Sequence, residues 1–148
     1  MKDIALDEIT LRKYEIPEIR ERRELVRKFC LSLGLLQEGD SRDIIVDILL
    51  VLLKAKKEKK FLNSKEIKEF VEKIRQDYGL DTRGISESNI RRQLKRLRDL
   101  MLVEKIKNSY RISEFSSIET LLERIFEIKL NGITKRIKEY AKAIDAIN

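Results

Sequence analysis

Apolar residues along this 148-residue chain recur mostly at helical spacing, and one short stretch alternates instead. Ile4, Leu6, Ile9, Leu11, Tyr14 and Ile16 share no period, so residues 1–16 are expected to form an extended arm. Pro17 suits the first turn of a helix and Glu18 its positive end. Ile19, Arg23, Val26, Cys30 and Leu33 then recur at helical spacing, and Gly34 and Gly39 bracket a loop. Asp40-Ser41 opens a second helix, with Asp43 placed for a capping-box-like arrangement. Residues 44–53 are apolar on almost every side, as in a central helix. Asn63-Ser64-Lys65-Glu66 is the next N-terminal signal, followed by a stripe of Ile67, Phe70, Val71, Ile74 and Tyr78 that Gly79 stops.

Residues 86–113 carry the sharpest pattern. Ser86 is a good N-cap, and Ile85 with Ile90 occupies the N′ and N4 positions of a hydrophobic staple. Ile90, Leu94, Leu97 and Met101 lie within about 60° of one another on a helical wheel. Ser88, Arg92, Lys95 and Asp99 then point outward, flanked by Arg91 and Arg96. Leu102, Glu104 and Ile106 alternate with Val103, Lys105 and Lys107, and Asn108-Ser109 is expected to turn the chain back through Tyr110 and Ile112. Ser116-Ser117-Ile118-Glu119 reads as a capping box for a helix with Leu121, Leu122, Ile125 and Phe126 inward. Asn131-Gly132 is expected to break or kink it. Ile133, Ile137, Tyr140, Ile144 and Ile147 follow at strict four-three spacing.

Charge changes the picture by its distribution. Lys and Arg total 33 against 26 Asp and Glu, a net charge of +7. Residues 83–111 hold nine basic and three acidic side chains, so nearly the whole excess sits in a fifth of the chain. The run at 54–60 is a second basic segment, read as a solvated helix end or a phosphate clamp. High Lys, Glu and Ile with no His or Trp fits a thermophile.

Helix, helix, helix, hairpin across residues 41–113 resembles the winged helix-turn-helix family of small prokaryotic and archaeal regulators. Asn63-Ser64-Lys65-Glu66-Ile67 looks like the start of the second helix of that motif. Residues 85–97 look like its recognition helix, and Leu102-Val103-Glu104-Lys105 with Tyr110-Arg111-Ile112-Ser113 is similar to its wing. The connection from Gly79 to Ile85 is longer than a tight turn of this motif, and the wing is short. The resemblance covers about half the chain. It implies a mainly α protein with a small β-hairpin: an arm and helix over 1–36, a winged helix over 37–115 and a helical extension over 116–148.

The resemblance also implies double-stranded DNA as partner and transcriptional regulation as function. Ser88, Asn89, Arg92, Lys95 and Arg96 are then candidates for the major groove, where Arg and Asn make bidentate base contacts. Arg91, Lys105, Lys107 and Arg111 are candidates for phosphates or the minor groove, and Asn63, Ser64 and Lys65 for placing a helix N-terminus on the backbone. A protein–protein module in a replication, repair or transcription assembly is one alternative, and RNA binding another.

The stripe Ile133, Ile137, Tyr140, Ile144 and Ile147 is expected to be a homodimer seam, with Ala141 and Ala143 beside it where charged residues usually flank a zipper. Without His, a Cys pair, a glycine-rich phosphate loop or a nucleophile motif, the chain is expected to be neither enzyme nor metal protein, and to take no cofactor or small-molecule ligand. Pairs such as Asp43/Asp47 and Glu66/Glu69 read as ordinary helix-face charges. Cys30, the single cysteine, reads as a small buried hydrophobe. The charged start predicts no signal peptide, and the longest apolar run, 48–53, is too short to span a membrane, so a cytoplasmic location is expected.

Overall fold

A computed structural model describes residues 3–18 and 21–147. The described residues form six α-helices and a small antiparallel sheet, in the predicted order except for the unforeseen strand β1: α1 (Arg22–Ser32), α2 (Ile44–Lys57), β1 (Leu62–Asn63), α3 (Ser64–Asp77), α4 (Glu87–Asp99), β2 (Val103–Ile106), β3 (Ser109–Ile112), α5 (Ile118–Ile125) and α6 (Asn131–Ile147). The protein is mainly helical. Its sheet has three strands, ordered β1-β3-β2. β1 is only two residues long and carries no alternation that the sequence could reveal.

α2 is the centre, as its all-round apolarity predicts. Val46, Ile48, Leu49 and Leu52 are inaccessible to solvent, or nearly so. Around it pack Val26 and Cys30 of α1, Ile67 and Val71 of α3, Ile90, Leu94 and Leu97 of α4, and Tyr110 and Ile112 of β3. Burial pushes the Cys30 thiol up to about 12, so it behaves as the expected apolar filler. Leu121 and Ile125 of α5 close the core, with Leu122 and Phe126 half-buried beside them.

Several boundaries differ from expectation. α1 begins at Arg22, capped by the Glu21 carboxylate on the Arg23 and Glu24 amides, so Pro17 and Glu18 precede the helix. Ile19 lies outside the described residues. α2 begins at Ile44 with no side-chain cap, because the Asp43 carboxylate is committed elsewhere. α3 has a full capping box between Asn63 and Glu66, but Phe70 and Tyr78 are exposed while Arg75 is buried. α4 stops at Asp99, and Met101 takes a left-handed conformation (φ 68°) that bonds its amide to the Arg98 carbonyl. Leu100 is buried in its place.

The hairpin turns one residue earlier than predicted. Ile106 faces Ser109, and Lys107 and Asn108 both have positive φ (49° and 66°), as a type I′ turn requires. Ser117, not Ser116, caps α5, through the Thr120 amide. No break occurs at Asn131-Gly132; a π-helical turn over Phe126–Leu130 precedes them and the helix runs on.

The arm over 3–18 has neither helix nor strand. It is tied to α1 by the Arg12 amide on the Ser32 carbonyl and the Arg12 guanidinium on the Leu31 carbonyl, and to the loop after α1 by the same guanidinium on the Leu36 carbonyl. Gly34 makes that approach feasible: its φ is +70°, and a Cβ there would fall 2.6 Å from Thr10 Cβ. Among the described residues no helix is long and apolar enough to cross a membrane.

Candidate nucleic-acid interface

The sheet register sets the neighbourhood of the β2–β3 hairpin. Asn63 pairs with Ser109, so the N-terminus of α3 lies beside the tip of the β2–β3 hairpin. Asn63, Ser64 and Lys65 are thereby brought to the same end of the molecule as Lys107 and Asn108. The Asn63 side-chain oxygen accepts from the Glu66 amide and the Glu66 carboxylate from the Asn63 amide. Two of the α3 N-terminal donors are consumed in this way, and Lys65 is exposed at the same turn.

α4 presents its outward side chains as the helical wheel predicts, with one exception. Ser88, Arg91, Arg92 and Lys95 are exposed, and so is Arg98, which the apolar stripe alone did not single out. Arg91 reaches Glu87 at 3.4 Å and Lys95 reaches Asp99 at 3.0 Å. Both are solvated i,i+4 pairs, worth a few tenths of a kcal/mol and easily exchanged for another anion. Arg96 is the exception. It is half-buried, donates to Gln93 and to the Gly34 carbonyl, and braces the back of α4 against the loop after α1.

Asn89 is half-buried too. Its amide nitrogen donates to the Gly84 carbonyl, and its oxygen accepts from Arg92 and Gln93. Asn89 therefore closes the long connection between α3 and α4 rather than standing free. From the other side, Arg75 Nε donates to the Asp81 carbonyl at 2.6 Å. The Arg83 side chain chelates the Asp81 carboxylate and, with its own amide, holds that group down to about 2. Despite its length the connection is stitched to both helices, and the relative setting of α3 and α4 is fixed.

On the hairpin, Lys105 and Lys107 are exposed. Lys105 also lies 5.7 Å from the Tyr110 ring. Arg111 is placed otherwise than a phosphate contact requires. Its guanidinium lies against the rings of both Phe61 (4.8 Å) and Phe115 (4.7 Å), which also meet each other edge-on at 5.4 Å, and donates to Glu104 at 2.9 Å. That arrangement braces the β2–β3 hairpin. The sequence held only a faint signal for it, namely aromatic residues flanking both ends of the sheet.

No protein-family model, curated protein or solved structure matches this chain. Function must be argued from the chain's own geometry and charge. Among the described residues no group of His, Cys, Asp and Glu is arranged to hold a metal ion.

One polar constellation went unforeseen. Asp47 and Asp43 lie between Arg23 and Arg75, in contact with α1, α2 and α3 at once. Arg23 Nε donates to Asp47 at 2.8 Å and Arg75 Nη1 at 2.6 Å, while both guanidinium groups also reach Asp43 at 3.0 Å. All four residues are buried. Burial alone would raise the Asp43 pKa and lower that of Arg23. The hydrogen bonds and opposite charges win in both cases, so Asp43 is held below the usual carboxylate range and Arg23 above its ordinary value. Two guanidinium groups balance two carboxylates, and each carboxylate is held by both, so the cluster ties three helices together. Asp47 within the apolar run of α2 was the available signal, because a charge there has to find a partner.

Proposed function

We propose that residues 44–112 form a winged helix-turn-helix unit that binds double-stranded DNA and serves transcriptional regulation. The observation that carries this reading is the pairing of β1 with β3, which sets the N-terminus of α3 beside the hairpin tip. The order α2-β1-α3-α4-β2-β3 is the order of that unit, and the short β1 is its third strand. On this reading Arg92 and Ser88 address base edges from the outward face of α4. Arg91, Lys95 and Arg98 flank them, and Lys65, Lys105 and Lys107 take phosphates. Arg96, Asn89 and Arg111 support the presenting elements from behind.

Fluorescence anisotropy with labelled duplex DNA across a salt series tests the proposal. Affinity should fall steeply as salt rises, because each phosphate neutralised releases counterions. An absence of duplex affinity at low salt would rule the reading out. A protein-module reading finds support in the exposed ring of Phe70 on α3. Duplex binding that is unaffected by Phe70→Ala separates the two.

A further inference from the structure

Helix α6 buries none of its residues and leaves Ile137, Tyr140, Ile144 and Ile147 exposed. The side chains of α4, by contrast, hold one another in place, and Asn89 is their hub. Its Nδ2 donates to the Gly84 carbonyl at 3.1 Å. A side-chain amide carries its donors on one atom and its acceptor on the other, so this bond fixes which way round the group lies. Oδ1 is thereby turned along the helix, where it accepts from Arg92 Nη1 at 3.2 Å and from Gln93 Nε2 at 3.3 Å. Gln93 Oε1 accepts in turn from Arg96, whose Nη2 donates to the Gly34 carbonyl. The network is anchored to main chain at both ends. Asn89 is half-buried within it, whereas Arg92 is exposed.

We infer that Asn89 is a positioning residue for sequence recognition: it aims the Arg92 guanidinium at a guanine in the major groove without touching DNA itself. This rests on the duplex-binding reading above and names the base that Arg92 reads. The partners of the outward cations single out the pair. Arg91 and Lys95 are matched to carboxylates, Glu87 and Asp99, which offset their charge. Arg92 is held by a neutral amide, so it is oriented and keeps its whole charge. Asn89 engages Nη1, which leaves the Nε–Nη2 edge with its two parallel donors. Two parallel donors match O6 and N7 of guanine, a pair of acceptors that no other base presents in the major groove. A free side chain loses rotamer freedom when it docks, and one already held loses less.

Selection of bound duplexes from a random library by the full chain supplies the preferred site. Anisotropy then compares that duplex with versions in which each G·C pair in turn is replaced by A·T. At one such pair Arg92→Ala should erase the discrimination. Asn89→Ala should reduce it there by about 2–10-fold, the effect of immobilising one long side chain, with the salt slope unchanged. In the Arg92→Ala background the same change should cost nothing further at that pair. Asn89→Asp keeps an acceptor for Arg92 and adds a negative charge, so it should preserve the discrimination while weakening all duplexes alike. Far-ultraviolet circular dichroism checks that each variant is folded. If Asn89 only closes the connection, Asn89→Ala lowers affinity for every duplex by one factor and leaves discrimination intact. That result overturns the inference while duplex binding stands, and so does a selection that returns no guanine preference sensitive to Arg92. Absence of duplex affinity at low salt removes the duplex-binding reading and the inference with it.

Discussion

Two groups of charges in this protein look alike in sequence and behave in opposite ways. The cluster of Arg23, Asp43, Asp47 and Arg75 is buried, balanced and shared by three helices. Arg91, Arg92, Lys95 and Arg98 of α4 and Lys105 and Lys107 of the hairpin are exposed, in excess, and their ion pairs are solvated contacts such as Lys95 with Asp99. In the first group every charge has a fixed partner, so removing one leaves another stranded. In the second group water and salt can replace any partner, so a charge is lost at little cost to the fold. The difference lies in what surrounds a charge.

Arg75→Met should have the largest effect. It leaves Asp47 with one buried partner fewer and should cost about 3–5 kcal/mol of stability, read from urea denaturation. A loss below about 1 kcal/mol would erase the contrast between the two groups. Acid should act on the same cluster. Because the folded pKa of Asp43 is depressed, its contribution is complete above the ordinary carboxylate pKa. That contribution is lost as pH falls through the lower folded value. The chain should therefore lose stability on acidification below about pH 4, where Asp carboxylates in the unfolded chain take up protons. Asp43→Asn should flatten that part of the profile.

The exposed group should respond in affinity and not in stability. Arg92→Ala is expected to weaken duplex binding by about 1–3 kcal/mol and to relax sequence preference, as measured by anisotropy on a panel of duplexes. Lys107→Ala should weaken all duplexes alike and reduce the salt slope by about 1. Asp99→Asn should have the smallest effect. Freeing Lys95 should change stability by less than about 0.5 kcal/mol and slightly tighten duplex binding. A larger loss of stability there would show that the surface pair is structural after all.

Much of the architecture was legible because it rests on local rules. The all-round apolarity of 44–53, the Asn63/Glu66 capping box, the Ser86 cap with its Ile85/Ile90 staple, and the alternation at Tyr110 and Ile112 each correspond to an observed element. What escaped depends on partners far away in sequence. β1 is two residues long and exists only because β3 pairs with it. Arg96 points outward on a helical wheel, yet the Gly34 carbonyl lies across from it. Arg111 alternates onto the expected hairpin face, but its guanidinium packs against Phe61 and Phe115. Asp43 had the spacing of a cap and was claimed instead by two arginines from other helices. Periodicity assigns a residue to a face. It carries no information about what the fold brings opposite that face.

The π-helical turn at Phe126–Leu130 has a geometric consequence of its own. Such a turn is an α-helix carrying one residue too many, and that residue resets the rotational phase of everything after it. Winding the same residues as regular α-helix, with none removed, would swing α6 by about 100° about its axis, the angle one residue subtends in an α-helix, whereas deleting one residue there would leave its bearing unchanged. Leu121 and Ile125 would keep their places in the core while the stripe on α6 left the body of the protein in a new direction. The turn thus acts as an indexing joint, fixing at which bearing the last helix offers its apolar edge.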